Sequence, residues 1–173
     1  MTKNITQNLN INTNWIHLNN FQKNIDLSFF NHDKYKNDIQ SLDKKMSDIL
    51  CDDSWMGNCA KYQLNSGGKR FRAILALLAS KIFGLSKQVS HDIAICCEFI
   101  HNASLIHDDL QDRDLLRRGL PTIWNRFGDH TAINLGDLFI SASFEIISKI
   151  LSARNSKSKL CIESELYFKK SLN

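Results

Sequence analysis

At 173 residues, 43% hydrophobic and 23% charged, the chain is long enough for one domain with a sizeable core. Its formal charge of +4 comes from dispersed Lys and Arg, which argues against a nucleic-acid footprint and leaves small anions as suitable ligands. The five cysteines show no C-x-x-C spacing, against a disulfide framework or zinc site, and a reducing cytoplasm is the expected location.

The polar start MTKNITQNLN lacks the apolar core of a secretory signal, and the longest apolar run, residues 73–79, is far too short to span a membrane. Residues 1–33 are rich in Asn and are read as a polar lead. From 34 to 50, Ile39, Leu42, Met46, Ile49 and Leu50 recur at helical spacing. A second helix is expected over 55–64 and is broken by the sequence Asn-Ser-Gly-Gly at 65–68. A strongly apolar helix is predicted over 69–83, with Gly84 as its cap. The next, over 90–112, is apolar on several faces and so should be buried. A loop at 119–122 holds the only proline, and a last helix is expected over 130–151. No strand pattern stands out, so the fold class is all-α. Residues 152–173 are polar with scattered apolar positions; they read as a divergent tail rather than a core helix.

Two helix ends carry unexpected charge. Gly67-Gly68-Lys69-Arg70-Phe71-Arg72 puts cations at a helix start, where the macrodipole is already positive. An anion would relieve this, and glycines let a phosphate approach the backbone; a solvated basic helix start is the plainer alternative. Lys69 and Arg72, three apart, would share a face. Asp108-Asp109-Leu110-Gln111-Asp112-Arg113-Asp114 puts carboxylates at a helix C-terminus, and Asp108 and Asp112 form a like-charge i,i+4 pair. Mg²⁺ would reverse both penalties, since it takes one or two carboxylates with phosphate and water. The alternative is neutralisation by Arg113, Arg117 and Arg118. One end calls for an anion and the other for a cation, and a magnesium diphosphate supplies both. His101 lies seven residues before Asp108, on the same face and about 10 Å away along the axis. Arg117-Arg118 offers planar forks that suit phosphate oxygens.

GGKRFR at 67–72, EFIHNASLIHDDLQDRDLLRRGLPT at 98–122, FG at 127–128 and AINLGDLF at 132–139 together resemble the trans-isoprenyl diphosphate (polyprenyl) synthase family, over roughly residues 55–150. The resemblance implies an all-α fold that is part of the isoprenoid synthase helical bundle, with 34–151 as the N-terminal half of its domain. It implies a prenyltransferase that condenses isopentenyl diphosphate with an allylic diphosphate, using Mg²⁺ held by Asp108 and Asp112. Gly68, Lys69, Arg72, His101 and Arg118 correspond to the isopentenyl diphosphate site and Arg117 to the allylic contact, which with Asp108 and Asp112 makes the catalytic set. Gly136-Asp137 matches a further family signature, read as structural. Ala103 and Ser104 fall where the family sets product length, and their small size implies a geranylgeranyl-length or longer product.

The sequence departs from the family in length, in lacking a second aspartate-rich motif and a later lysine, and in having Trp124 where many members have His. A truncated chain is therefore expected. A non-catalytic partner subunit, or an inactive fragment, is the alternative function, and a homodimer or a heteromer with another prenyl synthase is the expected assembly. A class I terpene cyclase also uses DDxxD, but GGKRFR and the paired arginines argue against it, because a cyclase has no second diphosphate to hold.

Overall fold

The computed structural model describes the backbone of residues 32–170 and the side chains of residues 34–153. The polar lead assigned to 1–33 lies almost wholly outside these residues. The chain divides after Lys34, and the unit Tyr35–Asn173 carries the α-helices, the hairpin and the site described below.

After a 3₁₀ turn at His32–Tyr35, six α-helices and a short hairpin follow among the described residues. Helix α1 (Lys36–Leu50) buries Ile39, Leu42, Met46 and Leu50, one face at helical spacing, whereas Ile49 stays exposed. Helix α2 (Trp55–Asn65) begins at Ser54, whose hydroxyl accepts the Gly57 N–H at 3.0 Å. A Cβ on Gly57 would lie 2.6 Å from both N and O of Asp52. Gly57→Ala is therefore expected to destabilise the fold by roughly 1–3 kcal/mol through overpacking, although alanine is the better helix former by about 1 kcal/mol. Urea unfolding of the two chains checks the sign.

Helix α3 spans Phe71–Ile82, two residues later at its start than the sequence predicts. Arg70 takes the left-handed conformation (φ 47°) at the cap, so Lys69 precedes the helix and does not share a helical face with Arg72. Beyond the far end, Gly84 (φ 65°) turns the chain and the Leu85 N–H reaches back to the Ser80 carbonyl at 2.9 Å. Helix α4 (Lys87–Asp112) starts three residues before the expected Ser90, because Ser86 caps it. It closes at Arg113, also left-handed (φ 58°).

The loop expected at 119–122 overlaps a short hairpin of two-residue strands, β1 (Leu116–Arg117) and β2 (Leu120–Pro121), paired antiparallel. Arg118 (φ 55°) and Gly119 (φ 79°) make the turn, and positive φ at both central residues suits the twist of a two-residue hairpin. Strands this short leave no periodicity to read. Helix α5 (Ile123–Phe127) leads into α6 (Asp129–Lys170), which runs on through the polar tail. Polarity alone does not end a helix; the tail holds no proline or glycine to break it.

Helix α4 packs along α6 and against α3, and its buried residues with Leu135 and Phe139 of α6 form the centre of the core. Phe99 and Phe139 meet edge to face, with centroids 5.3 Å apart. None of the described helices is long and apolar enough to cross a membrane.

Candidate functional site

The glycine-rich segment, the middle of α4 and the hairpin turn meet at a cleft of about 650 Å³ lined by Gly68, Lys69, Arg70, Phe71, Arg72, Glu98, His101, Asn102 and Arg118. All five residues assigned from sequence to the isopentenyl diphosphate site therefore line one cavity. Arg118 arrives from the hairpin and donates to the Gly67 carbonyl. Gly68 (φ 146°) makes room for it, since a Cβ there would lie 3.1 Å from Nη1 of Arg118. Arg72 Nη1 stands 3.2 Å from Nε2 of His101. Burial pushes the His101 imidazole below its ordinary value of 6.5, and the guanidinium of Arg72 then lowers it further, followed by Arg118, Arg117 and Arg70.

A neutral His101 at pH 7 follows. Its folded pKa lies below the unfolded one, so its contribution to stability is full above about 6.5 and is lost as pH falls through the folded value. His101→Gln is expected to remove part of the wild type's loss of stability between pH 7.5 and pH 5.5. Chemical denaturation at the two pH values measures it.

The helix start is not an open anion site of the kind the sequence proposes. Glu98, buried on α4, fills part of it: its Oε1 accepts the Ala73 N–H at 3.0 Å. Sequence reasoning gave Glu98, Arg70 and Asn102 no role. The available signal was a carboxylate inside an apolar run, one helical turn before His101.

The aspartate-rich end divides in two. Asp109 is buried and receives Arg117, with Nε at 2.8 and 2.9 Å from its two oxygens and Nη2 at 2.6 Å. This pair raises the Arg117 pKa. Arg113 is drawn elsewhere: it holds both oxygens of Asp129 and lies 5.1 Å over the Trp124 ring, whose indole N–H donates to the Asp114 carbonyl. Trp124 thus makes a polar contact of its own. Asp108 and Asp112 are exposed and in no ion pair among the described residues. The arginines that could have neutralised them are engaged elsewhere. No group of three or more metal-binding side chains occurs among the described residues. The donor set is two carboxylates one helical turn apart, which fits Mg²⁺ completed by phosphate and water. Beside them, Gly136 of α6 leaves the space that the His107 ring occupies, and a Cβ there would collide with it.

A second, apolar groove of about 820 Å³ adjoins the cleft and shares Arg72 and His101 with it. Leu75, Ala76, Ile93, Cys96, Cys97, Ile100, Ser104 and Ile147 complete its walls. Burial raises the Cys96 thiol to about 11, so it serves as an unreactive wall residue. Ser104 opens into the groove, whereas Ala103 is buried in the core and does not line it.

Residues 53–167 match the Polyprenyl synthetase family. The chain belongs to that family. The match runs past residue 151, into the stretch read as a divergent tail. The chain is 33% identical over 140 residues to a geranylgeranyl diphosphate synthase of Methanosarcina mazei, covering 76% of this chain and 43% of that protein. A geranylfarnesyl diphosphate synthase of the same organism is 41% identical over 104 residues, covering 60% of this chain and 35% of the relative. Among solved structures, the geranylgeranyl pyrophosphate synthetase of Geoglobus acetivorans superposes with a TM-score of 0.59 at 30% identity, covering 74% of this chain and 45% of that one. The heptaprenyl diphosphate synthase of Staphylococcus aureus gives 0.62 at 28% identity, covering 65% and 36%. The polyprenyl synthetase chain described here thus spans under half the length of these relatives.

Proposed function

We propose that this chain carries the diphosphate-binding half of a trans-prenyltransferase that condenses isopentenyl diphosphate with an allylic diphosphate. One observation carries the reading: Arg72 and His101 belong both to the cationic cleft and to the apolar groove. A ligand with an anionic head and a hydrocarbon tail suits that junction.

In this reading Gly68, Lys69, Arg72, His101 and Arg118 bind the isopentenyl diphosphate, and Arg117, oriented by Asp109, meets the allylic diphosphate. Asp108 and Asp112 would hold Mg²⁺, which when bound neutralises charge on the departing pyrophosphate. The cations of the cleft hold their diphosphate fixed while the allylic group ionises and the isopentenyl double bond attacks. The condensed cation then loses a proton to the pyrophosphate. The apolar walls keep water from the cation. Small side chains at Ala103 and Ser104 agree with a product of geranylgeranyl length or beyond, with Ser104 the one that lines the groove.

Calorimetric titration with isopentenyl diphosphate tests the reading. Arg72→Ala is expected to weaken binding roughly 10- to 100-fold, the worth of a hydrogen bond to a charged group. A folded wild-type chain that takes up none would sink the proposal. A second reading is a non-catalytic partner subunit of another prenyl synthase. Binding without turnover, with turnover restored in a heteromer, would select it.

A further inference from the structure

Five basic side chains converge on the cleft, from Lys69, Arg70, Arg72, His101 and Arg118, and Glu98 is the one carboxylate among the lining residues. Lys69 and the three arginines are charged at pH 7 and repel one another, so some group must hold them together before a ligand arrives. Arg70 differs from the other four. It is buried, its backbone is left-handed (φ 47°), and its guanidinium is held by acceptors within the fold. Nε donates to Asp43 Oδ1 at 2.7 Å, Nη2 donates to the Leu64 carbonyl at 3.1 Å, and Nη1 faces Glu98 Oε2 at 3.8 Å. The other oxygen of Glu98 caps α3 through the Ala73 N–H. Behind Glu98, Asn102 donates to the Glu98 carbonyl at 2.8 Å and accepts from Gln63 Nε2 at 3.2 Å. Helices α1, α2, α3 and α4 are thereby joined at one point.

Lys69 and Arg72 flank Arg70 in the chain, so whatever fixes Arg70 fixes where they enter the cleft. Arg70 reaches the left-handed conformation at a cost of about 1 kcal/mol or more for a residue with a Cβ, and its two hydrogen bonds and the Glu98 ion pair offset that cost. We propose that Glu98 and Asp43 are positioning residues for the cleft: acting through Arg70 and the first turn of α3, they hold Lys69 and Arg72 in place for a diphosphate. The proposal rests on reading the cleft as a diphosphate site.

The test uses the 173-residue chain with Glu98→Gln, which keeps the shape and an acceptor for Ala73 but removes the charge facing Arg70. Isopentenyl diphosphate affinity is expected to fall about tenfold or more. A variant that only lost a negative charge would bind the anion as well or more tightly, and that result overturns the proposal. A second readout needs no ligand. If Arg72 leaves His101, the His101 imidazole titrates nearer its ordinary value in an NMR pH series; mere loss of a carboxylate would lower it further, which also overturns the proposal. Should Glu98→Gln fail to fold, Asp43→Asn, at a half-exposed carboxylate, carries the same comparison with a weakening of roughly two- to fivefold; unchanged affinity and an unchanged His101 titration in that variant count against the proposal. Failure of the wild type to bind isopentenyl diphosphate would remove the diphosphate reading while the His101 titration still decides the role of Glu98 and Asp43.

Discussion

Replacing Asp108 by Ala is expected to lower magnesium-dependent prenyl product on the order of 10²–10³-fold, the usual effect of losing one preorganised group that stabilises developing charge. The fold should not suffer. Asp108 is exposed, in no ion pair among the described residues, one turn from the like-charged Asp112 and at the negative end of a helix, so its removal relieves two small repulsions. The melting temperature should hold or rise slightly while turnover falls, a combination that a structural carboxylate would not give. Asp109→Ala provides the contrast, since it strands the Arg117 guanidinium and should act on stability first. The assay follows labelled isopentenyl diphosphate into product with several allylic diphosphates. Equal turnover in wild type and Asp108→Ala would remove Asp108 from the metal site. Binding without any turnover in the wild type would favour the partner-subunit reading.

Phe99→Ala is expected to cost about 3–5 kcal/mol of unfolding free energy, the range for emptying a fully buried aromatic position. Phe99 is wholly inaccessible and lies edge to face with Phe139, so the cavity would open where α4 and α6 pack together. Its neighbour Glu98 faces the cleft, so loosening here should also weaken diphosphate binding, but by less than the stability loss, because the Arg70 contacts remain. Equilibrium urea unfolding gives the number; a loss under 1 kcal/mol would mean that the α4–α6 packing is not the main support of this unit.

Much of the fold was legible because helix-forming residues repeat with a fixed period. Ile39, Leu42, Met46 and Leu50 are buried as their spacing predicts, and Gly84 ends α3 by a backbone conformation that glycine favours. The boundaries moved where a local signal was overridden. Ser86 extended α4 toward the N-terminus, and α6 continued to Lys170 because nothing in its polar stretch breaks a helix. The hairpin at 116–121 escaped notice because two-residue strands carry no period.

The sequence by itself determined the all-helical class, the family, and five of the residues that line the cationic cleft (Gly68, Lys69, Arg72, His101 and Arg118), because those depend on local periodicity and on motifs whose spacing is written in the chain. The tertiary structure alone decided which charges are spent and which remain open. Asp108 and Asp109 are adjacent in sequence, yet helix rotation turns one to solvent and buries the other against Arg117. Lys69, Arg70 and Arg72 look alike in the motif, yet Arg70 is buried against Asp43 and Glu98, 27 and 28 residues away along the chain. Pairing at such separations depends on how helices pack rather than on neighbours along the chain, and so only the folded protein shows it.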